Sequence, residues 1–294
     1  MASTGSIVLV NGIESNSIPV NDRGLAYGDG LFETVRVHNG ETPLWPYHKD
    51  RLTAGCQRLG IQLDLAGIEA DLQQLISNKA QSSLLASSDH VIKIMVTRGP
   101  GKRGYSPIGA NTPTRILSHS DYSVADAQRY QLGVAVRVCS TQLGLNPQLA
   151  GIKHLNRLEQ VLARSEWNGN EYAEGLMCSA EGHVIDGTMS NFFAVTSGEL
   201  ITSELNGAGV EGVMRRFILK HANDLGFTIR TKNIALDELF EAQQLFVCNS
   251  VFGIWPVRLL VDDTGELSRH KEYSDEFSVA RAFQTLIESK LYPQ

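Results

Sequence analysis

Lys153 stands in the stretch LAGIKHLNRLEQVLAR, Leu149 to Arg164, behind a small, apolar approach and ahead of a run of leucines. A lysine is ordinarily a solvated charge. One approached through Leu149-Ala150-Gly151-Ile152 can be partly buried, and desolvation favours the neutral amine, which is a nucleophile and a general base. Such an amine needs partners, and the chain offers several. Carboxylates follow at Glu174, Glu181 and Asp186. Guanidinium groups suited to anions stand at Arg51, in HKDRL, and at Arg103, in RGPGKRGYS with Lys102 and Tyr105 beside it. Gly212-Val213-Met214 leads into a predicted helix, whose first N–H groups suit an anion. Asn249-Ser250, at the end of a predicted strand, adds further donors. Each of these also has a plain reading. Arg51 fits a helix surface, Arg103 a solvated hairpin, and Asp186-Gly187 and Asn249-Ser250 simple turns.

Mixed elements must position these groups. Ser6 to Val10 reads as a strand closed by the hairpin turn Asn11-Gly12, and Leu31 to His38 as a strand ahead of Asn39-Gly40. Tyr47 to Gly60 reads as a helix with Leu52, Cys56 and Leu59 on one stripe and Gly60 as its stop. A second helix covers about Ile68 to Ser82. Strands at Val91–Thr97 and Thr114–Ser118 flank the glycine-rich loop that holds Arg103. The polar segment SDYSVADAQRYQ has no core pattern and reads as a linker over 120–132, between an N-terminal part (1–119) and a larger C-terminal part (133–294). Beyond it come strands at Val134–Cys139, Gly175–Ser179, Phe192–Val195, Thr228–Thr231 and Leu245–Cys248. Helices are predicted over the Lys153 segment, with Leu155, Leu158 and Leu162 on one side and Val161 adjoining, over Val213–Leu225, and near Ser278–Leu291. The class is α/β or α+β in two parts.

Composition excludes several functions. The 294 residues are 42% hydrophobic and 20% charged, which fits a globular chain with a sizeable core. A net charge of -6 without a basic run argues against nucleic acid. No stretch reaches membrane-span length, and the start lacks the basic and apolar regions of a signal peptide. Cys56, Cys139, Cys178 and Cys248 are far apart in apolar surroundings and show no CxxC spacing. They read as buried thiols of a cytoplasmic protein, with no metal site.

The Lys153 segment resembles the cofactor-lysine motif of the branched-chain aminotransferase-like (fold type IV) pyridoxal-phosphate enzymes. The likeness extends in order along nearly the whole chain. NDRGLAYGDGLFETVRVHNG is similar to the family's N-terminal signature, and HKDRL to its first-helix arginine. EGHVIDGTMSNFF is similar to the segment that carries the pyridine-binding carboxylate, and GVEGVMRRFIL and CNSVFGIWPV to the two phosphate-side segments. RGPGKRGYS resembles the substrate loop of the family's lyases. The resemblance implies a two-domain fold with the cofactor at the domain interface, and a homodimer in which the Arg103 loop can reach the partner's site. It implies pyridoxal 5'-phosphate linked to Lys153, which is also the proton shuttle. Asp186 would face the ring nitrogen. The family usually has glutamate there, one methylene longer, so the backbone must come closer or a water must intervene. Arg51, Val213, Met214, Asn249 and Ser250 would hold the phosphate. Arg103, Tyr105 and Phe32 would face a small substrate bearing two carboxylates and a ring amine. A lyase is implied first. An aminotransferase for D-amino acids or branched-chain amino acids is the alternative, and a non-catalytic vitamin-binding protein the distant one. Asp22, Arg23, Tyr27 and Asp29 are expected to hold structure, and His154 and Asn156 to make local hydrogen bonds.

Overall fold

A computed structural model of the chain describes residues 7–82, 89–122, 126–274 and 276–292. It divides into two units, Met1–Ser123 with Ile152–Asn156, and Val124–Gly151 with Arg157–Gln294.

The first unit opens with strands β1 (Val8–Val10) and β2 (Ile13–Glu14). Their turn residues Asn11 and Gly12 have φ of 52° and 85°, the sign that a two-residue hairpin requires. Helix α1 (Arg23–Tyr27), β3 (Gly30–Val37), helices α2 (Trp45–Leu59) and α3 (Leu65–Ser82), and strands β4 (His90–Thr97) and β5 (Thr114–Asp121) follow. The strands form an antiparallel sheet in the order β2-β1-β5-β4-β3. β3 alternates between buried and half-buried positions, as a strand with one covered face does. α2 carries Pro46 in its first turn and ends at Gly60, whose φ of 63° caps it. It turns His48, Arg51, Leu52 and Cys56 inward.

The second unit contains α4 (Asp126–Leu132), β6 (Val134–Val138), α5 (Leu158–Arg164), β7 (Glu174–Cys178), β8 (Val184–Gly187), β9 (Asn191–Thr196) and β10 (Glu199–Ser203). It continues with α6 (Val213–His221), β11 (Ile229–Lys232), α7 (Leu236–Glu241), β12 (Gln244–Asn249), β13 (Gly253–Asp262), β14 (Arg269–Glu272) and α8 (Ser278–Leu291). Its mixed sheet runs β11-β10-β9-β12-β13-β6-β7-β8, with β14 beside β13. Phe192, Leu245, Val247, Trp255 and Leu260 are among its core residues.

Three expectations change. The Lys153 segment is not helical. α5 begins only at Leu158, and its leucines do not face a core, since Leu158 and Leu162 are 78% and 61% exposed. Residues 120–132, read as a linker, hold the end of β5 and all of α4, while 123–125 lie outside the described residues. The first strand starts at Val8, and Ser6 lies outside the described residues.

Candidate active site

In the first unit Lys153 lies on an extended segment that runs along β3. Phe32 N–H donates to the Lys153 carbonyl at 2.9 Å, and Leu155 N–H donates to Gly30 O at 3.0 Å. These bonds fix the lysine backbone against the strand that carries Phe32. The Lys153 Nζ lies 4.3 Å from the centre of the Phe32 ring, over its aromatic face, and the lysine as a whole is half-buried. Asn156, expected to bond locally, instead donates its side-chain N–H to Gly28 O, 128 residues earlier in the chain, at 3.1 Å.

Two residues beyond Leu31, Glu33 anchors a buried polar cluster. Arg51 Nε donates to Glu33 Oε1 at 2.8 Å and Arg51 Nη2 to Oε2, which makes the pair bidentate. His48 Nδ1 lies 2.6 Å from the same Oε2. His48 and Arg51 are three apart on α2, so both reach one face of the helix. Burial works to raise the Glu33 pKa, but the Arg51 guanidinium and the hydrogen bonds from Arg51 and His48 outweigh it and hold it at about 2. Burial drives the His48 pKa down; Glu33 opposes this, and the positive charges of Arg51 and Lys153 add to it. Below its lowered pKa the imidazole would have to carry a buried charge, so near neutrality it is uncharged, with Nδ1–H donating to Glu33. HKDRL announces Arg51 in the sequence. Glu33 as its partner does not follow from spacing, because strand and helix must first be packed.

Arg103 and Tyr105 lie in the loop between β4 and β5, and both are exposed. The Tyr105 ring packs on Tyr27, with centroids 5.3 Å apart.

In the second unit Asp186, at the end of β8, is 4% exposed. Its Oδ2 accepts the Val210 N–H at 2.9 Å. The two competing carboxylates are placed otherwise. Glu174 is buried and accepts from Gly175, Thr188, Met189 and Ser190, which commits it to structure. Glu181 is exposed in a turn. Asn191 Oδ1 accepts the Gly212 N–H at 3.1 Å and its Nδ2 donates to Val210 O at 2.9 Å, so this asparagine, not singled out from the sequence, shapes the entry to α6. Val213 and Met214 begin α6 and are buried, and a helix start presents N–H groups to an anion. Asn249 uses its side chain locally. Its Oδ1 accepts the N–H groups of Val251 and Phe252 at 2.9 Å each, and its Nδ2 donates to Met189 O. The amide therefore builds the turn that holds Ser250, with one of its two N–H donors committed to Met189 O.

A pyridoxal-type cofactor needs an amine for its aldehyde, an anion for its ring nitrogen and N–H donors for its phosphate. The amine of the half-buried Lys153, the buried Asp186 carboxylate and the α6 start fit each need in kind. The four cysteines fit none: all are buried free thiols, and burial pushes Cys56, Cys139 and Cys248 up to about 12. Among the described residues no cluster suited to a metal ion occurs.

Residues 30–260 match the family model described as amino-transferase class IV. The chain belongs to this class IV aminotransferase family. Among its relatives, aminodeoxychorismate lyase of Vibrio harveyi is 36% identical over 84% of this chain and 89% of its own length. A putative branched-chain-amino-acid aminotransferase of Methanocaldococcus jannaschii is 29% identical over 82% of this chain and 81% of its own. The crystal structure of 4-amino-4-deoxychorismate lyase from Pseudomonas aeruginosa superposes with a TM-score of 0.88 at 39% identity, covering 98% of this chain and all of that one. The class IV fold expected from the resemblance is therefore the fold of this chain.

Proposed function

We propose that the protein is a pyridoxal-phosphate-dependent lyase that converts 4-amino-4-deoxychorismate to 4-aminobenzoate and pyruvate, a step toward folate. The observation that carries this reading is the 39% identity to a solved lyase of that specificity across 98% of the chain. The aminotransferase matches are weaker in identity.

Pyridoxal phosphate, when bound, supplies the aldehyde that joins the substrate amine and an electron-poor ring that takes up electrons released at C4. Lys153 would hold the cofactor covalently and, once released, act as the base: its amine would take the C4 proton of the substrate and return one to the departing enolpyruvate. Aromatisation of the product supplies driving force, so orientation of the C4–H bond is the protein's main task. Phe32 limits the positions open to the amine. Asp186 carries the negative charge that keeps a ring nitrogen protonated. Arg51 supplies positive charge for the phosphate with its guanidinium oriented by Glu33, and Val213, Met214 and the Asn249-Ser250 turn supply backbone donors. Arg103 takes a substrate carboxylate, with Tyr105 beside it.

The same reading includes a homodimer in the cytoplasm. It is supported by the exposed apolar stripe Leu158, Val161 and Leu162 on α5, and by four thiols that remain unpaired. Among the described residues no helix is long and apolar enough to cross a membrane.

The test is a product assay on the purified holoenzyme. Aminodeoxychorismate should give stoichiometric 4-aminobenzoate and pyruvate, while D-alanine with 2-oxoglutarate should react far more slowly. Efficient transamination with no 4-aminobenzoate would overturn the reading.

A further inference from the structure

We infer that Arg23 is the positioning residue of the substrate loop: its guanidinium binds three successive loop carbonyls and so fixes where Arg103 can reach. The inference rests on the reading of Arg103 as the residue that takes a substrate carboxylate.

The loop from Arg98 to Pro113 is long for a hairpin connection and rich in glycine, a composition that favours many conformations. The structure holds it at defined points. At its base, Arg23 N–H donates to Gly99 O at 2.9 Å and Gly101 N–H to Asn21 O at 3.1 Å. Further out, Arg23 Nη1 donates to Gly104 O at 2.9 Å and to Ser106 O at 3.3 Å, and Nη2 donates to Tyr105 O at 2.9 Å. The Gly104 N–H donates to the Tyr27 hydroxyl at 3.2 Å. Arg23 is itself fixed. Its Nε donates to Asp29 Oδ2 at 2.8 Å, and Asp29 is held in turn by Arg98 through both oxygens. Only 4% of Arg23 is exposed, although its partners belong to a surface loop.

Three carbonyls converging on one planar cation require a curled backbone. Such a curl has one geometry, and a lysine, with a single nitrogen, could not hold it in the same way. Gly101 allows the arrangement, because a Cβ there would lie 2.7 Å from Arg23 Cδ. Lys102 and Arg103 are thus the exposed residues between two pinned points, Gly101 and Gly104. Their side chains project from a backbone that is ordered before substrate arrives. Ordering in advance reduces the entropy lost on binding, an effect expressed in KM and not in the chemical step.

Three variants of the holoenzyme test this. Arg23→Gln removes the three contacts, and Gly101→Ala displaces the arginine stem while keeping every charge. Arg103→Ala tests the underlying reading. Each is assayed for kcat and KM with aminodeoxychorismate, for the cofactor absorption band, and for the rate of tryptic cleavage after Lys102 or Arg103 below the melting temperature. Expected for Arg23→Gln and Gly101→Ala is a KM raised about tenfold with kcat within about threefold, an unchanged cofactor band and faster loop cleavage. Should Arg23→Gln fail to fold, Gly101→Ala carries the test alone. Wild-type KM and cleavage in the folded variants, with KM raised in Arg103→Ala, overturn the role of Arg23. A wild-type KM in Arg103→Ala overturns the reading of the loop itself.

Discussion

Glu33 is 1% exposed and takes hydrogen bonds from both Arg51 and His48. A buried carboxylate is costly unless it is paired, and a buried guanidinium equally so, so neither residue of this pair can be removed alone without leaving the other stranded. Glu33→Gln should therefore lower stability by about 3–5 kcal/mol, measured by urea denaturation at pH 7. The pH dependence has a definite sign. The folded pKa of Glu33, about 2, lies below its ordinary 4.5. The stability it contributes, roughly 3 kcal/mol by linkage, is complete above pH 4.5 and is lost as pH falls toward 2. His48, whose pKa is also lowered by burial, adds a loss that begins as pH falls below its ordinary 6.5. In Glu33→Gln the part of the acid loss between pH 4.5 and 2 that belongs to this carboxylate should vanish. A denaturation series showing an unchanged acid limb would contradict the assignment. Asp186 is tested separately. Asp186→Asn keeps the size and the Val210 contact but removes the charge. It should lower kcat about a hundredfold or more while the fold, followed by circular dichroism, is retained.

At the level of elements, glycine positions separate two costs. Gly60 caps α2 with φ 63° and has open space around a would-be Cβ, so Gly60→Ala should cost only the left-handed backbone, about 1 kcal/mol. Gly99 also has positive φ, 86°, but a Cβ there would sit 1.8 Å from Thr112 O. Gly99→Ala must displace backbone at the base of the Arg103 loop and should lower the melting temperature several times further than Gly60→Ala. Equal shifts by calorimetry would contradict this. The same local rules explain what the sequence revealed. The Asn11-Gly12 hairpin, α2 with its glycine stop, and α8 follow from local chemistry, and α8 has the bounds expected, Ser278–Leu291. β13 was not evident, because Gly253 and Pro256 inside it argue against a central strand. Pairing with β12, β6 and β14 makes it one. The Lys153 segment misled in the opposite way. Its leucine spacing is helical, but pairing with Gly30 and Phe32 holds residues 153–155 extended, and the apolar stripe of α5 points outward.

For the molecule as a whole, that stripe on α5 is where the proposed dimer is most open to test. A charge placed in an apolar interface costs several kcal/mol. Leu158→Glu with Leu162→Glu should convert a dimer to monomer in sedimentation analysis, with little loss of monomer stability, because both side chains are exposed in the single chain. A wild-type protein that sediments as a monomer would contradict the dimer. The candidate cofactor groups were legible as residue types, but their burial, the Glu33 partnership and the Asn191 contact to Gly212 depend on packing that no spacing encodes. Everything in the proposed chemistry passes through the Lys153 amine. The most direct measurement is borohydride reduction of the holoenzyme followed by peptide mapping. The pyridoxyl label is predicted on Lys153 within LAGIKHLNR, and Lys153→Ala should carry no label and no lyase turnover. Label on another side chain, or none, would contradict the account.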